Sequence, residues 1–275
     1  MEIQQKKNKL AVIVPYWKRP EITKLCFEWL SNQSERLDFD VYVSGDNKEI
    51  VPGNFTFVEA KNYPLGSKLN TMLKKTKGYD VVSVMGSDNF ASDSVWEYYQ
   101  SVPSNEKVFY GFDNMHIYSC WSGKLGTDFA YTRSGNTIGV ARCWTNATLE
   151  VMNYNLWSPI PKGLDRNSKN NMMIKGIKEV FVPYSDHFLL DVKHEYNISS
   201  PSVVETSYQF EDKSLIVEKL YYIGKKILSL KLGTVKQVKQ RKTMAQVISK
   251  IKVKFIQTAE IVTGKQFKDN IFLPI

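Results

Sequence analysis

The chain has only three cysteines, Cys26, Cys120 and Cys143, and no two of them stand at a short paired spacing. That spacing suggests neither a disulfide framework nor a zinc knuckle, and the three are expected as buried thiols. No apolar run approaches the length needed to span a bilayer, and the first residues, Met1 to Lys9, are polar and charged rather than an apolar leader. The expectation is a cytoplasmic protein. Asn54, Asn146 and Asn197 each open an Asn-x-Ser/Thr triplet, which without a secretory leader reads as a chance match. No internal repeat or low-complexity segment interrupts the 275 residues. Acid is scarce in one place: from Lys213 onward, 14 Lys/Arg stand against 3 Asp/Glu, so the tail carries the net charge of +9 and the rest is near neutral.

What is present is ample for a core, with 43% hydrophobic and 13% aromatic residues. Lys9 to Tyr16 is a continuous apolar run ended by Pro15 and the turn Trp17-Lys18-Arg19-Pro20, which predicts a buried strand. Ile22, Leu25, Cys26, Trp29 and Leu30 then fall at helical spacing, with Pro20 near the helix start. Asp38 to Ser44 alternates as a strand and runs into Gly45-Asp46-Asn47, and Phe55 to Ala60 is a shorter strand. Leu65, Leu69, Met72 and Leu73 mark a helix closing near Gly78. This alternation predicts an α/β protein with a mostly parallel sheet flanked by helices, Rossmann-like, whose loops gather on one edge.

The next strand carries the most information. Tyr79 to Met85 is an apolar β-type run that stops on a carboxylate, Asp88, in the turn Gly86-Ser87-Asp88-Asn89. In open α/β sheets ligands sit outside the carboxyl ends of such strands, and a carboxylate there can hold a divalent cation that in turn holds a diphosphate. Ordinary turn chemistry is the competing account, since Ser, Asp and Asn side chains bond their own backbone.

Taken in order, the segments KLAVIVPYWKRP, VYVSGD, Pro64 to Asn70, Gly86 to Asn89, Gly135 to Arg142, Leu156-Trp157 with Gly163-Leu164-Asp165, and Leu190 to Lys193 with Asn197-Ile198 resemble nucleotide-sugar glycosyltransferases of the GT-A fold, particularly those similar to family 2. The resemblance covers roughly residues 9 to 200 and implies a catalytic domain over 1–205 followed by a basic helical extension over 206–275. It implies a donor site at Pro15, Tyr16, Asp46, Lys68, Ser87, Asp88 and Lys193. It also implies a divalent cation, Mn²⁺ or Mg²⁺, for which Asp88, Asn89, Asp191, His187 and His194 are the candidate ligands. One departure bears on that cation: the family's Asp-x-Asp motif has Gly86 where its first acid belongs.

Sugar transfer needs stabilisation of the departing nucleoside diphosphate and a base for the acceptor hydroxyl. Lys68 and Lys193 offer charge for the first. For the second, Asp165 is the first candidate and Asp128 the reserve, with a helix N-cap role as the structural alternative for Asp165. The expected partners are a UDP- or GDP-type sugar donor and a glycan, lipid-linked or protein acceptor, with direct in-line attack inverting the anomeric centre. The rivals are a catalytically degenerate binding or structural module, favoured by Gly86, and a nucleotidyltransferase. The latter is opposed by the absence of glycine from the Trp17–Pro20 loop.

Aromatics cluster between Tyr98 and Trp157, most of them expected in the core, with Trp121 a candidate sugar platform. In the tail, Ile216, Leu220, Ile223, Ile227 and Leu230 form one lysine-flanked apolar stripe, and Val247, Ile248, Ile251 and Phe255 a second. Such stripes suit an anionic membrane surface at the inner face, or packing against the domain. Nucleic acid is not an expected partner, because the basic region has no matching set of stacking aromatics.

Overall fold

The computed structural model describes residues 7–127, 137–160, 163–183, 186–194 and 209–230. These described residues fall in one compact unit, within Met1–Leu232. Asp128, the segment around Asn197 and the stripe from Val247 to Phe255 lie outside the described residues.

Among the described residues, two sheets build the domain. The larger has seven strands, β1 (Leu10–Pro15), β2 (Asp40–Ser44), β3 (Thr56–Phe57), β4 (Val81–Val84), β6 (Val108–Gly111), β9 (Cys143–Thr145) and β10 (Lys178–Phe181). Their order across the sheet is β10-β6-β9-β4-β1-β2-β3, and every neighbouring pair is parallel except the two made by β9. The smaller contains β5 (Asn89–Ala91), β7 (His116–Ser119), β8 (Lys124–Thr127), β11 (Leu189–Lys193) and β12 (Gln209–Glu211), ordered β12-β8-β7-β11-β5. The predicted α/β class and mostly parallel, helix-flanked sheet are what the structure has.

The apolar run of β1 is continuous because both faces are covered. Leu10, Val12 and Val14 join one core with Ile22, Cys26, Phe27 and Trp29 of α1 (Pro20–Leu37) and with Trp96 and Tyr99 of α3 (Asp93–Ser101). Ala11 and Ile13 face the opposite core with Leu69, Met72 and Leu73 of α2 (Leu65–Leu73), and with Leu149 of α4 (Asn146–Val151) and Met172 of α5 (Leu164–Ile174). Of the cysteines, Cys26 and Cys143 are buried, Cys120 is half-buried, and all three are free thiols.

The last described helix, α6 (Ser214–Ser229), packs on α1, with a break at Tyr221 where φ is 50°. Ile216, Leu220, Ile223 and Ile227 are fully buried in the α1/α3 core. This corrects the membrane expectation for the first stripe: those side chains cannot reach a lipid surface while the domain is folded. Periodicity alone reports an apolar face, not what covers it.

Candidate active site

The strand order reverses direction at β1, with β2 on one side and β4 on the other, and in open α/β sheets the crevice beyond the carboxyl ends at that point binds ligands. The ends are flush: Pro15 pairs with Ser44, Tyr16 N–H donates to Ser44 O at 2.8 Å, and Met85 N–H donates to Ile13 O at 3.0 Å. Five separate segments therefore deliver side chains to one edge.

Tyr16 is buried, packs on Gly45 and Phe27, and donates its hydroxyl to Asn47 O at 2.5 Å. Burial pushes its hydroxyl up to about 12, so it acts as a neutral wedge under the Gly45–Asn47 turn. Asp46, exposed on that turn, accepts from Lys18 N–H at 3.2 Å. Lys68, on α2, is 2% exposed and donates to Tyr16 O at 2.9 Å and Asn62 Oδ1 at 2.8 Å. Burial lowers its pKa to about 8, against an opposing pull from the Asp46 charge. Asp46 and Lys68 thus share one electrostatic environment.

Asp88 belongs to a second cluster on the same edge. Its carboxylate accepts from Arg19 Nη1 at 2.5 Å, and its carbonyl accepts from Val192 N–H at 2.9 Å. The antiparallel pairing of β5 with β11 sets Asp191 opposite Asn89, which brings Asp191 and Lys193 beside Asp88. Lys193 Nζ donates to Asp191 Oδ2 at 2.5 Å, while Asp191 Oδ1 is buried and has no hydrogen-bond partner among the described residues. Burial raises the Asp191 pKa despite Lys193. The opposite balance holds for Lys193, where Asp191 and Asp88 outweigh burial and hold the ammonium above its ordinary value.

Other candidates are placed differently. Ser87 is buried, and its hydroxyl has no hydrogen-bond partner among the described residues. Asn89 Oδ1 accepts from Gly86 N–H at 2.9 Å, so its side chain closes its own turn. His187 precedes β11 at the end opposite Lys193, with Nδ1 3.1 Å from Ser94 Oγ and its ring against Tyr98 and Phe112; burial lowers its pKa. It is not brought to Asp88. His194 is buried just after Lys193. Asp165 stands in the first turn of α5 behind Gly163, which occupies the N-cap position. Its carboxylate lies so close to Gly139 that an added Cβ there would sit 2.0 Å from Oδ1. Ala141 N–H, two residues on, donates to Val84 O, which puts Asp165 near the end of β4.

Arg19 joins the second cluster through Asp88, although the sequence pattern did not single it out. Lys18 and Arg19 both take left-handed conformations, each with φ 57°, in a loop that contains no glycine. Lys18 is tied to Asp46 and Arg19 to Asp88, so this loop joins the two clusters. A non-glycine pair at positive φ stores strain of the kind found at ligand sites. The local signal was a basic pair directly after a buried strand and before the helix-opening Pro20.

The donor set does not suit a divalent cation as it stands. Among the described residues no three His, Cys, Asp or Glu side chains come together as such an ion would need. A side chain at position 86 would begin 2.4 Å from Asn89 Oδ1 and 2.9 Å from Asp88 Oδ1. The two remaining carboxylates, Asp88 and Asp191, already hold Arg19 and Lys193.

No protein-family profile and no curated protein sequence matches the chain. Among solved structures it is similar to a Drosophila β1,4-galactosyltransferase 7 mutant in complex with manganese, UDP-Gal and xylobiose, at 13% identity over 76% of this chain and 79% of that one, with a TM-score of 0.44. It is also similar to a glycosyltransferase involved in glycosylation of the major capsid of PBCV-1, at 8% identity over 72% and 97%, with a TM-score of 0.42. A third is 2-C-methyl-D-erythritol 4-phosphate cytidylyltransferase from Thermus thermophilus, at 14% identity over 72% and 96%, with a TM-score of 0.42.

Proposed function

We propose that this protein is a nucleotide-sugar glycosyltransferase that moves a sugar from a UDP- or GDP-type donor to a saccharide, lipid-linked or protein acceptor. The observation that carries this reading is the gathering of Asp46, Lys68, Arg19, Asp88, Asp191 and Lys193 at the carboxyl ends of β1, β2, β4 and β11, at the point where the strand order reverses. Carboxylates suit ribose and base hydrogen bonds, and ammonium and guanidinium groups suit phosphate. In this reading Asp46 faces the nucleoside, and Lys68 with Lys193 stabilises the charge that develops on the departing diphosphate.

Asp165 is the proposed general base. It would take the proton from the acceptor hydroxyl as that oxygen attacks the anomeric carbon in line with the leaving diphosphate, inverting the configuration. Its place in the first turn of α5, near the end of β4, supports this role. The lysine-flanked stripe of Val247, Ile248, Ile251 and Phe255 supports a further proposal, docking on an anionic membrane surface.

Calorimetric titration with UDP and with GDP, followed by turnover of UDP- and GDP-sugars, tests the reading. At least one nucleotide should bind, and one sugar nucleotide should be consumed in the presence of acceptor. Failure of both nucleotides to bind refutes it.

A further inference from the structure

We infer that Arg19 stands where a divalent cation would have to sit, and that Arg19 and Lys193 neutralise the donor diphosphate without metal. This rests on the nucleotide-sugar reading and deepens it. Three observations carry it. First, Asp88 holds the Arg19 guanidinium at 2.5 Å, with both side chains only 14% and 17% exposed, so the anion that would face a metal is matched by a resident cation. Second, Asp191 is held by Lys193 in the same way, at 7% and 14% exposure, and both of these groups feel the charges of Asp88 and Arg19. A dication entering this square meets two fixed cations as well as two carboxylates. Third, an acid at Gly86 that would tip this balance would first have to displace Asn89 Oδ1, which fills that space while accepting from Gly86 N–H.

The loop gives Arg19 its position. Two consecutive left-handed residues, with Lys18 N–H held by Asp46, aim the guanidinium at Asp88. Guanidinium binds phosphate oxygens through a planar fork of donors, so one arginine can exchange its carboxylate partner for an arriving diphosphate. Asp88 becomes the residue that holds Arg19 ready, and it competes with the ligand. Removing Arg19 should remove this phosphate donor without supplying a cation site in its place, since among the described residues only two carboxylates remain and Lys193 still holds Asp191.

The test uses the full chain and three probes, UDP, GDP and Mn²⁺ alone, with calorimetry for the nucleotides and electron paramagnetic resonance for the free metal. For the wild type, nucleotide affinity should differ by less than about twofold between EDTA and excess Mn²⁺, with no retention of Mn²⁺ alone at about 1 mM. Arg19→Met should lose about tenfold or more of its nucleotide affinity in EDTA, and excess Mn²⁺ should not restore it. Asp88→Asn should bind nucleotide more tightly in EDTA than the wild type, because the competing carboxylate is gone. Should Arg19→Met fail to give a cooperative melting curve, the wild-type and Asp88→Asn titrations decide alone. Wild-type binding that EDTA abolishes and Mn²⁺ restores overturns this inference and leaves the glycosyltransferase reading standing, as does loss of binding in Asp88→Asn. Absence of nucleotide binding in every condition overturns both.

Discussion

Lys68→Met removes a buried cation while keeping most of the unbranched stem that packs beneath Tyr16. Burial holds the Lys68 pKa at about 8, against an ordinary value of 10.5. Below about pH 8 the folded protein therefore carries a penalty of about 3 kcal/mol for keeping this ammonium charged. Methionine removes that penalty and gives up the hydrogen bonds to Tyr16 O and Asn62 Oδ1, of which only the first leaves a buried acceptor unmatched, at about 1–2 kcal/mol. The net expectation is a gain of about 1–2 kcal/mol at neutral pH, a rise of about 2–6 °C in Tm. The sign of the pH dependence follows from linkage. Between the folded and unfolded pKa values the unfolded chain binds the extra proton, so wild-type stability rises with pH through this window. From about pH 7.5 to about pH 9.5 the wild type should gain about 2 kcal/mol relative to the variant. Urea titrations of both proteins across that range measure the difference, in which other titrating groups cancel. If the diphosphate sits against this ammonium, nucleotide affinity should fall by about tenfold or more in the same variant. A less stable variant with unchanged pH slope and unchanged nucleotide affinity would refute the reasoning and make Lys68 a structural tie.

Asp165→Asn should retain nucleotide affinity while transfer falls by about 100-fold or more, as for a lost general base, and steady-state turnover beside calorimetry separates the two. Leu220→Ala in α6 should lower stability by about 2–4 kcal/mol in chemical denaturation, because the side chain is fully buried between α6 and α1. Ending the chain at residue 205 should be worse than any point change, since it exposes the α1/α3 core that Ile216, Leu220, Ile223 and Ile227 cover; aggregation on expression is the readout. Flotation with anionic liposomes at low salt should carry the full-length chain upward and release it at high salt, and no flotation at low salt would end the membrane proposal.

The parts of this fold that could be read from sequence are those whose pattern is local. β1 shows as an unbroken apolar run because cores lie on both its faces, and α1 and α2 show because each buries one stripe. Asp88 was legible because it stands in the polar turn just past a buried apolar strand. The smaller sheet was not: β7, β8 and β12 are only three or four residues long, and although β7 and β8 form a local hairpin, the pairings of β7 with β11 and of β8 with β12 join segments far apart in the chain. Nor was β9, three residues inserted antiparallel between β4 and β6. The site was legible to the same extent. Strand-end positions located Asp46 and Asp88, whereas the pairing of Asp88 with Arg19 depends on a backbone conformation that Lys18 and Arg19 have no glycine to announce. That Asp191 and Lys193 close on each other and on Asp88 depends on the register of β11 against β5.

The turn at Gly86 limits what this protein can become. An aspartate introduced there would have to evict the Asn89 amide from its own loop, and the eviction would strip Gly86 N–H of its acceptor before any new coordination could repay the loss. An acid at position 86 is therefore coupled to the side chain at position 89 through one backbone N–H.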